Sequence, residues 1–318
     1  MSSNDVAILM ASYNGAKYIS NQIESIISQS YKNWDLYIRD DGSSDGTINI
    51  IKNYIRKDNR IHLIVDKKDE HGACLNFYNL IRYAKKNLLD YSYFFLSDQD
   101  DIWCKEKIYT EVEKLKCTQI NVPNLIYTDL KLCDENGNDT NVNMSDIHDI
   151  ELKNYPDIFM NQIFVWGNTV AFNKNLLKNI VVPNDISNEL SHDHYLTFFA
   201  ATYGNVIYID LPLTYYRRHE NNVSDLPSSY NFVSSVEHII KRKDEILDSH
   251  IQMYKNVLYF IHHNKKTDLT TDIENALKQG GYKAYCVIKK YKITPGPNRQ
   301  NAFLNKFILF LGIQKKYL

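Results

Sequence analysis

A wholly apolar run, Tyr93-Phe-Phe-Leu96, ends abruptly in Ser97-Asp98-Gln99-Asp100-Asp101, which crowds three carboxylates into four positions. A short apolar run bounded by polar residues reads as a strand buried on both faces of a parallel sheet. In open α/β sheets, ligands sit beyond the carboxyl ends of strands. Like charges this close repel, and each one near a protein interior carries a desolvation cost. A hard divalent cation with oxygen ligands removes that cost, and a phosphorylated substrate commonly completes its coordination. The segment therefore points to a metal-dependent enzyme acting on a phosphorylated substrate. An acidic loop that merely caps the next helix explains the same residues, so the rest of the chain has to decide.

The first half alternates strand-like and helix-like segments. Val6–Ala11, Trp34–Arg39, Ile61–Val65 and Tyr93–Leu96 read as strands, separated by helical periods over Tyr18–Ile27, Ile48–Tyr54 and Leu75–Leu89. Repeated βα units imply a mainly parallel sheet with helices on both faces. Beyond Asp101 the pattern becomes mixed. Ile108–Leu115 and His192–Tyr203 are helical, and Leu125–Asp129, Trp166–Phe172, Val206–Ile209 and Leu213–Arg218 are strand candidates. Asp134–Asn138 has hairpin-turn chemistry, and the polar stretch Asn141–Asp149 reads as a mobile surface loop. Long helical periods take over at Tyr230–Ile261 and Thr271–Lys289, which places a domain boundary near Asp225–Pro227.

At 318 residues the chain can bury a sizeable core, and its formal net charge of -1 gives no reason to expect nucleic acid as a partner. The N-terminus runs into the first strand without the layout of a signal peptide, and no apolar stretch reaches the roughly 18–20 residues that span a bilayer. Five scattered cysteines without a CxxC pair fit reduced thiols in the cytoplasm better than disulfides or a zinc site.

Polar residues follow four successive strands: Ala11–Asn14, Asp40–Ser43, Gly72 and Asp98–Asp101. In a parallel sheet those ends lie side by side. Asp40–Gly46 alone is equally a turn before a helix, with Ser43 or Asp45 as N-cap. Two acidic clusters in equivalent places favour a ligand cleft, in which one bonds a base or ribose and the other holds a metal on the phosphates. The chain lacks both the GxGxxG and the GxxxxGK[ST] fingerprints. Neutralisation of a diphosphate must then come from metal and helix ends.

The strings A-S-Y-N-G (11–15), R-D-D-G-S-S-D-G-T (39–47) and S-D-Q-D-D-I-W (97–103) closely resemble family 2 glycosyltransferases with the GT-A fold. The resemblance continues through G-N-T-V-A-F-N (167–173), H-D (192–193) and Y-R-R-H-E-N-N (216–222), and so covers about residues 5–222. The D-Q-D-D-I-W string with the late H-D and Y-R-x-H looks most like bacterial rhamnosyltransferases of polysaccharide assembly. The resemblance implies an α/β GT-A catalytic domain over residues 1–226, with a mainly parallel central sheet flanked by helices, and a helical extension over 227–318. It implies an inverting enzyme that uses Mg2+ or Mn2+. Such an enzyme moves a sugar from a nucleotide-diphospho-sugar to a glycan or lipid-linked acceptor, with L-rhamnose from dTDP-rhamnose favoured over glucose, galactose or N-acetylhexosamine from a UDP-sugar.

Residue by residue, the resemblance places Asp41, with its neighbour Asp40, at the acidic position that contacts the base, and Ala11 and Tyr13 on the base's other side. Asp98 falls nearer ribose and phosphate, Asp100 on the metal, and Asp101 reads as a helix cap. Gly167 and Asn168 match the loop beside the donor sugar, Asp193 the catalytic base and His219 a residue that meets the metal or the diphosphate. Arg217 and Arg218 are cations for the departing diphosphate. An Asp suits the base role if the crowded acidic cleft raises its pKa. His192 departs from the carboxylate that many relatives have before that Asp, and Trp103 and Trp166 serve equally as a sugar-stacking wall or as core.

A nucleotidyltransferase and a non-catalytic binding module are the competing classes. Against the first, Ala11–Lys17 has only one glycine; against the second, Asp100, Asp193 and His219 are all present. The segment Phe303–Ile313, flanked by Lys315 and Lys316, suits an interfacial helix at the inner membrane leaflet, a docking helix for the catalytic domain or a dimer contact. The expected location is cytoplasmic, with peripheral membrane contact as one option.

Overall fold

Strand β1 (Val6–Ser12) is buried along its whole length. A strand covered on both faces belongs inside a layered sheet. It pairs in parallel with β2 (Trp34–Asp40) on one side and with β4 (Tyr93–Ser97) on the other. β3 (Ile61–Ile64) continues beyond β2. The order β3-β2-β1-β4 then runs on through β8 (Ala171–Asn173), β6 (Asn124–Cys133), β9 (Asn205–Arg217) and β5 (Ile102–Trp103), with β7 (Asp139–Asn143) on β6. β8 is antiparallel to both β4 and β6, so the sheet is mixed but mainly parallel in its first half. This computed structural model describes residues 4–65, 71–160, 165–187, 189–220, 243–294 and 306–318.

Helices α1 (Ile19–Ile27), α2 (Thr47–Ile55), α3 (Ala73–Asn87), α4 (Lys107–Lys116) and α5 (Lys174–Asn179) follow β1, β2, β3, β5 and β8. Ile19, Ile23 and Ile26 from α1, Ile51 from α2, and Ile108, Val112 and Leu115 from α4 turn inward and join β1 and β2 side chains in one core. Each such side chain, fully buried, contributes about 1.5–3 kcal/mol. Trp103 is part of this core and only 2% exposed, so it packs rather than forming a sugar wall. The chain proceeds outward from β1 to β2 and β3, then resumes on the other side of β1 with β4. That reversal opens a crevice at the carboxyl ends of β1 and β4.

Four expectations are corrected. Asn141–Asp149 is not a loose loop: β7 runs to Asn143, a 3-10 turn covers Met144–Asp146, and Ser145 Oγ donates to Asp129 (2.6 Å). Trp166–Phe172 opens with a 3-10 turn at Gly167–Thr169, which leaves only Ala171–Asn173 as strand. The two strands expected at Val206–Ile209 and Leu213–Arg218 are one long β9 with its register shifted near Pro212. Proline cannot donate to the ladder, so pairing slips there and resumes.

The fourth correction lies in the second of two compact units. Residues 1–151 with 164–219 form the first, and 152–163 with 220–318 form the second. The second contains α7 (Lys243–His263), α8 (Asp268–Gln279) and α9 (Gly281–Lys290). The single helix expected over Thr271–Lys289 is broken at Gly280 (φ +57) and Gly281 (φ +60), a backbone that side-chain-bearing residues rarely adopt. Residues 152–160 pack among these helices. Asn154 Nδ2 donates to Tyr291 O (3.1 Å), Asp157 accepts from the Thr294 N–H (2.9 Å), and Phe159 meets Phe260 with ring centroids 6.4 Å apart. The expected boundary at 225–227 and part of the Phe303–Ile313 segment lie outside the described residues. Among the described residues no helix is long and apolar enough to cross a membrane, and the cysteines are free.

Candidate functional site at the carboxyl ends of β1, β2 and β4

The turn after β1 is built on the turn after β2. Asn14 adopts φ +46 and donates its N–H to Ser43 Oγ (2.7 Å), while Ser44 N donates back to Asn14 Oδ1 (2.9 Å). Asp40 points into this junction and accepts from Ser12 Oγ (2.8 Å) and from the N–H groups of Gly42 (3.1 Å) and Ser43 (2.8 Å). Asp40 therefore shapes the loop, and its neighbour Asp41 occupies the strand end. Asp41 is only 7% exposed; it accepts from Arg39 Nη1 (3.2 Å) and the Gly72 N–H (2.9 Å), with His71 Nδ1 3.3 Å away. Ala11 is buried one step back on β1, and the Tyr13 side chain is exposed. Gln99 ties the first turn to the third, accepting from Tyr13 N (2.9 Å) and donating to Tyr13 O (2.8 Å).

The three carboxylates after β4 separate by environment. Asp101 is fully buried, accepts from Asn168 Nδ2 and lies 3.4 Å from the Arg217 N–H. It is not a helix cap, because α4 starts six residues later with Glu106 at its N-cap. Burial, followed by the charge of Asp100, pushes the Asp101 carboxyl well above the usual range. Asp98 is raised in the same way by burial, then by Asp101, Asp100 and Asp193. Asp100 faces outward, its Oδ2 2.9 Å from His219 Nε2. His219 stacks on Tyr18 (centroids 4.7 Å apart), whose hydroxyl donates to Glu135.

Arg217 is almost fully buried. Its Nε donates to Asp100 O (2.8 Å), its Nη1 to Glu135 O (2.7 Å), and its guanidinium carbon lies 5.0 Å from the Tyr18 ring centre. These bonds clamp the backbone turns at Asp100 and Glu135, whereas Arg218 is exposed. Gln22, also fully buried, was missed because a neutral amide in an apolar helix carries no motif. Its amide, assigned by its surroundings, donates to Asp101 O (2.8 Å) and accepts from Trp103 Nε1 (3.1 Å).

Asp193 lies in the first turn of α6 (His192–Tyr203). Its Oδ2 accepts the Gly167 N–H (3.0 Å), and its Oδ1 accepts the His194 N–H (2.6 Å) and Ser191 Oγ. Burial pushes its pKa up, but the His194 and His192 imidazoles and these bonds outweigh it, and the net shift is downward. The expectation of a raised pKa is therefore corrected: local donors win over the crowd of acids. His192 stacks on Phe77 (4.0 Å), and burial lowers its own pKa to about 4, so it is neutral at pH 7.

The burial of these acids, with the charges beside them, has a measurable consequence. An acid with a raised folded-state pKa holds its proton longer folded than unfolded, so stability falls as pH rises through that pKa. In chelator, the melting temperature is expected to fall from about pH 5 toward about 8, the value to which Asp101 is pushed, with Asp98 shifted in the same direction. Asp98→Asn should flatten that dependence and raise the alkaline melting point by a few degrees. A wild-type melting point that climbs steadily over this interval contradicts the assignment.

Among the described residues no three His, Cys, Asp or Glu side chains converge as a complete metal cage. Asp100 and His219 nonetheless fit part of one. Their facing atoms are 2.9 Å apart, close to the ~3 Å between adjacent ligands of an octahedral ion with bonds near 2.1 Å. An ion pair has the same spacing. Such an ion takes its remaining ligands from phosphate and water.

The model of the family described as Glycosyl transferase family 2 matches residues 7–180. The chain is 31% identical over 222 residues to the dTDP-rhamnosyl transferase RfbG of Shigella flexneri, covering 67% of this chain and 72% of that one. It is 32% identical over 110 residues to the UDP-Glc:alpha-D-GlcNAc-diphosphoundecaprenol beta-1,3-glucosyltransferase WfgD of Escherichia coli, covering 35% of this chain and 40% of the relative. Among solved structures, S. aureus TarS 1-349 in complex with UDP-GlcNAc superposes with a TM-score of 0.51 at 16% identity, covering 98% of this chain and 91% of that one. The mannosyltransferase PcManGT from Pyrobaculum calidifontis, in complex with GDP-Man and Mn2+, gives a TM-score of 0.51 at 13% identity over 98% and 87% of the two chains. At these identities the two structures share the fold.

Proposed function

Because the chain belongs to glycosyl transferase family 2, and so transfers a sugar from a nucleotide sugar, we propose that its donor is dTDP-β-L-rhamnose. The acceptor is a glycan or lipid-linked saccharide of cell-surface polysaccharide synthesis, and the anomeric centre inverts to give an α-linkage. The extent of similarity to the rhamnosyl enzyme, 222 residues against 110 for the glucosyl enzyme, favours rhamnose over glucose.

The observation that carries the mechanism is the Asp193 carboxylate. It is ionised at neutral pH, fixed by three donors, and close enough to Asp98 to raise that acid's pKa. Asp193 takes the proton of the acceptor hydroxyl as that oxygen bonds to the anomeric carbon from the face opposite the nucleotide. The bond from that carbon to the diphosphate oxygen breaks, and its electron pair leaves with the diphosphate. Asp41, Ala11 and Tyr13 hold the base, Asp98 the ribose and phosphate end, and Gly167 and Asn168 border the sugar. Mg2+ or Mn2+ held by Asp100 and His219 would neutralise the charge gathering on the departing diphosphate.

Asp100→Ala should remove metal-dependent donor binding, weakening dTDP affinity in Mn2+ at least about ten-fold. Calorimetry in Mn2+ that matches wild type sinks the metal assignment. Donor choice is tested by a thermal-shift panel of UDP-, dTDP- and GDP-sugars with and without Mn2+, where dTDP-rhamnose should give the largest shift. A larger shift with a UDP-sugar refutes rhamnose.

A further inference from the structure

After Glu274 the sequence contains no Asp or Glu through Leu318, yet carries nine Lys or Arg, in a chain whose overall charge is -1. Nearby acids are already engaged: Glu274 accepts from Lys266 (2.5 Å) and Lys278 (2.6 Å), and Asp272 from Lys290 (2.6 Å). Among the described residues, Lys283, Lys289, Lys315 and Lys316 make no ion pair.

Large apolar side chains are exposed in the same stretch. On α9, Ala284 and Val287 are buried while Tyr282 (75% exposed) and Tyr285 (50%) point outward with their rings stacked at 6.2 Å. In the short helix at 306–311, Ile308 and Leu309 are buried, but Phe310 (59%) and Leu311 (55%) are exposed. This exposed face belongs to an anchored segment: Gln314 is fully buried and donates to Leu277 O (3.1 Å). The backbones that carry the two strips approach at the Gly280–Gly281 corner, where a Cβ added to Gly281 would lie 4.0 Å from Phe310 O.

We propose that this face, formed by Tyr282, Tyr285, Phe310 and Leu311 within a rim of lysines, docks on an anionic lipid bilayer. Aromatic and aliphatic side chains that project beside uncompensated lysines suit the boundary between headgroups and acyl chains. There the apolar groups leave water and the ammonium groups meet phosphate. A second copy of the chain is a poor occupant, because a two-fold contact sets the same acid-free basic patch against itself. A polyanion without an apolar interior leaves Phe310 and Leu311 in water.

The inference does not rest on the transfer reaction, and its test uses the full chain without substrate. Cosedimentation with vesicles of phosphatidylcholine alone should show little binding, and vesicles containing phosphatidylglycerol should bind, less so as salt is raised. Phe310→Ser with Leu311→Ser, and separately Lys315→Glu with Lys316→Glu, should each lower the bound fraction about ten-fold or more. Circular dichroism and thermal melting at wild-type values show that each variant is folded. Equal binding to both vesicle types, or wild-type binding by either folded variant, overturns the proposal. A dimer in light scattering that Phe310→Ser dissociates, with no vesicle binding, overturns it too and gives the face to a second copy.

Discussion

Asp193→Asn is expected to lower kcat by about 10²–10⁴-fold while leaving donor affinity within about two-fold of wild type, since a positioned general base contributes on that scale. The amide keeps the size of the carboxylate but cannot take the acceptor's proton. It also turns an NH2 toward one set of the donors now satisfied by the two oxygens: the Gly167 N–H on one side, the His194 N–H and Ser191 Oγ on the other. The downward pKa shift of Asp193 adds a pH signature. Because the carboxyl ionises below its usual range, the acidic limb of the wild-type kcat profile should lie below about pH 4. Calorimetric donor binding beside a transfer assay separates the outcomes. A near-normal kcat removes Asp193 from the reaction, whereas loss of donor binding makes it a scaffold of the cleft.

The largest effect on stability is expected from Arg217→Met. Arg217 is 1% exposed, and its guanidinium bridges the carbonyls of Asp100 and Glu135. Removing it leaves two carbonyls without these charge-assisted donors, at about 3–5 kcal/mol. For a unit of this size the melting temperature should drop by roughly 6–20 °C. Arg217→Lys keeps the charge but not the fork, and should fall between the two. If Arg217 instead served the departing diphosphate, Met would weaken donor binding and spare the melting point; a melting point within a degree of wild type rejects the clamp.

The parallel core was readable because its signals are local. Val6–Ser12 is apolar throughout, and Ile19, Ile23 and Ile26 recur at helical spacing, so each segment declares its own state. The site was readable only through ordered motif strings, since Asp100 and His219 meet across 119 residues and no spacing rule joins them. Asp101 passed for a helix cap because its partner Asn168 is 67 residues away. The sign of the Asp193 shift was misjudged because the acids are visible in sequence while the N–H groups that hold it are backbone. Gly280-Gly281 was a legible break inside a helical period; the apolar periodicity on either side of it hid the corner.

The segment at 152–160 has a consequence in time. Asn154 bonds to Tyr291 O, and Asp157 to the Thr294 N–H, each across 137 residues. At synthesis rates of about 5–20 residues per second, these partners leave the ribosome roughly 7–27 s after the segment does. Until then Ile158 and Phe159, both buried in the finished fold, lack their cover. The nascent chain therefore carries an exposed apolar loop for most of the synthesis that remains after the segment is made, and a fragment ending at His219 would carry it permanently. A chaperone has that interval in which to bind it.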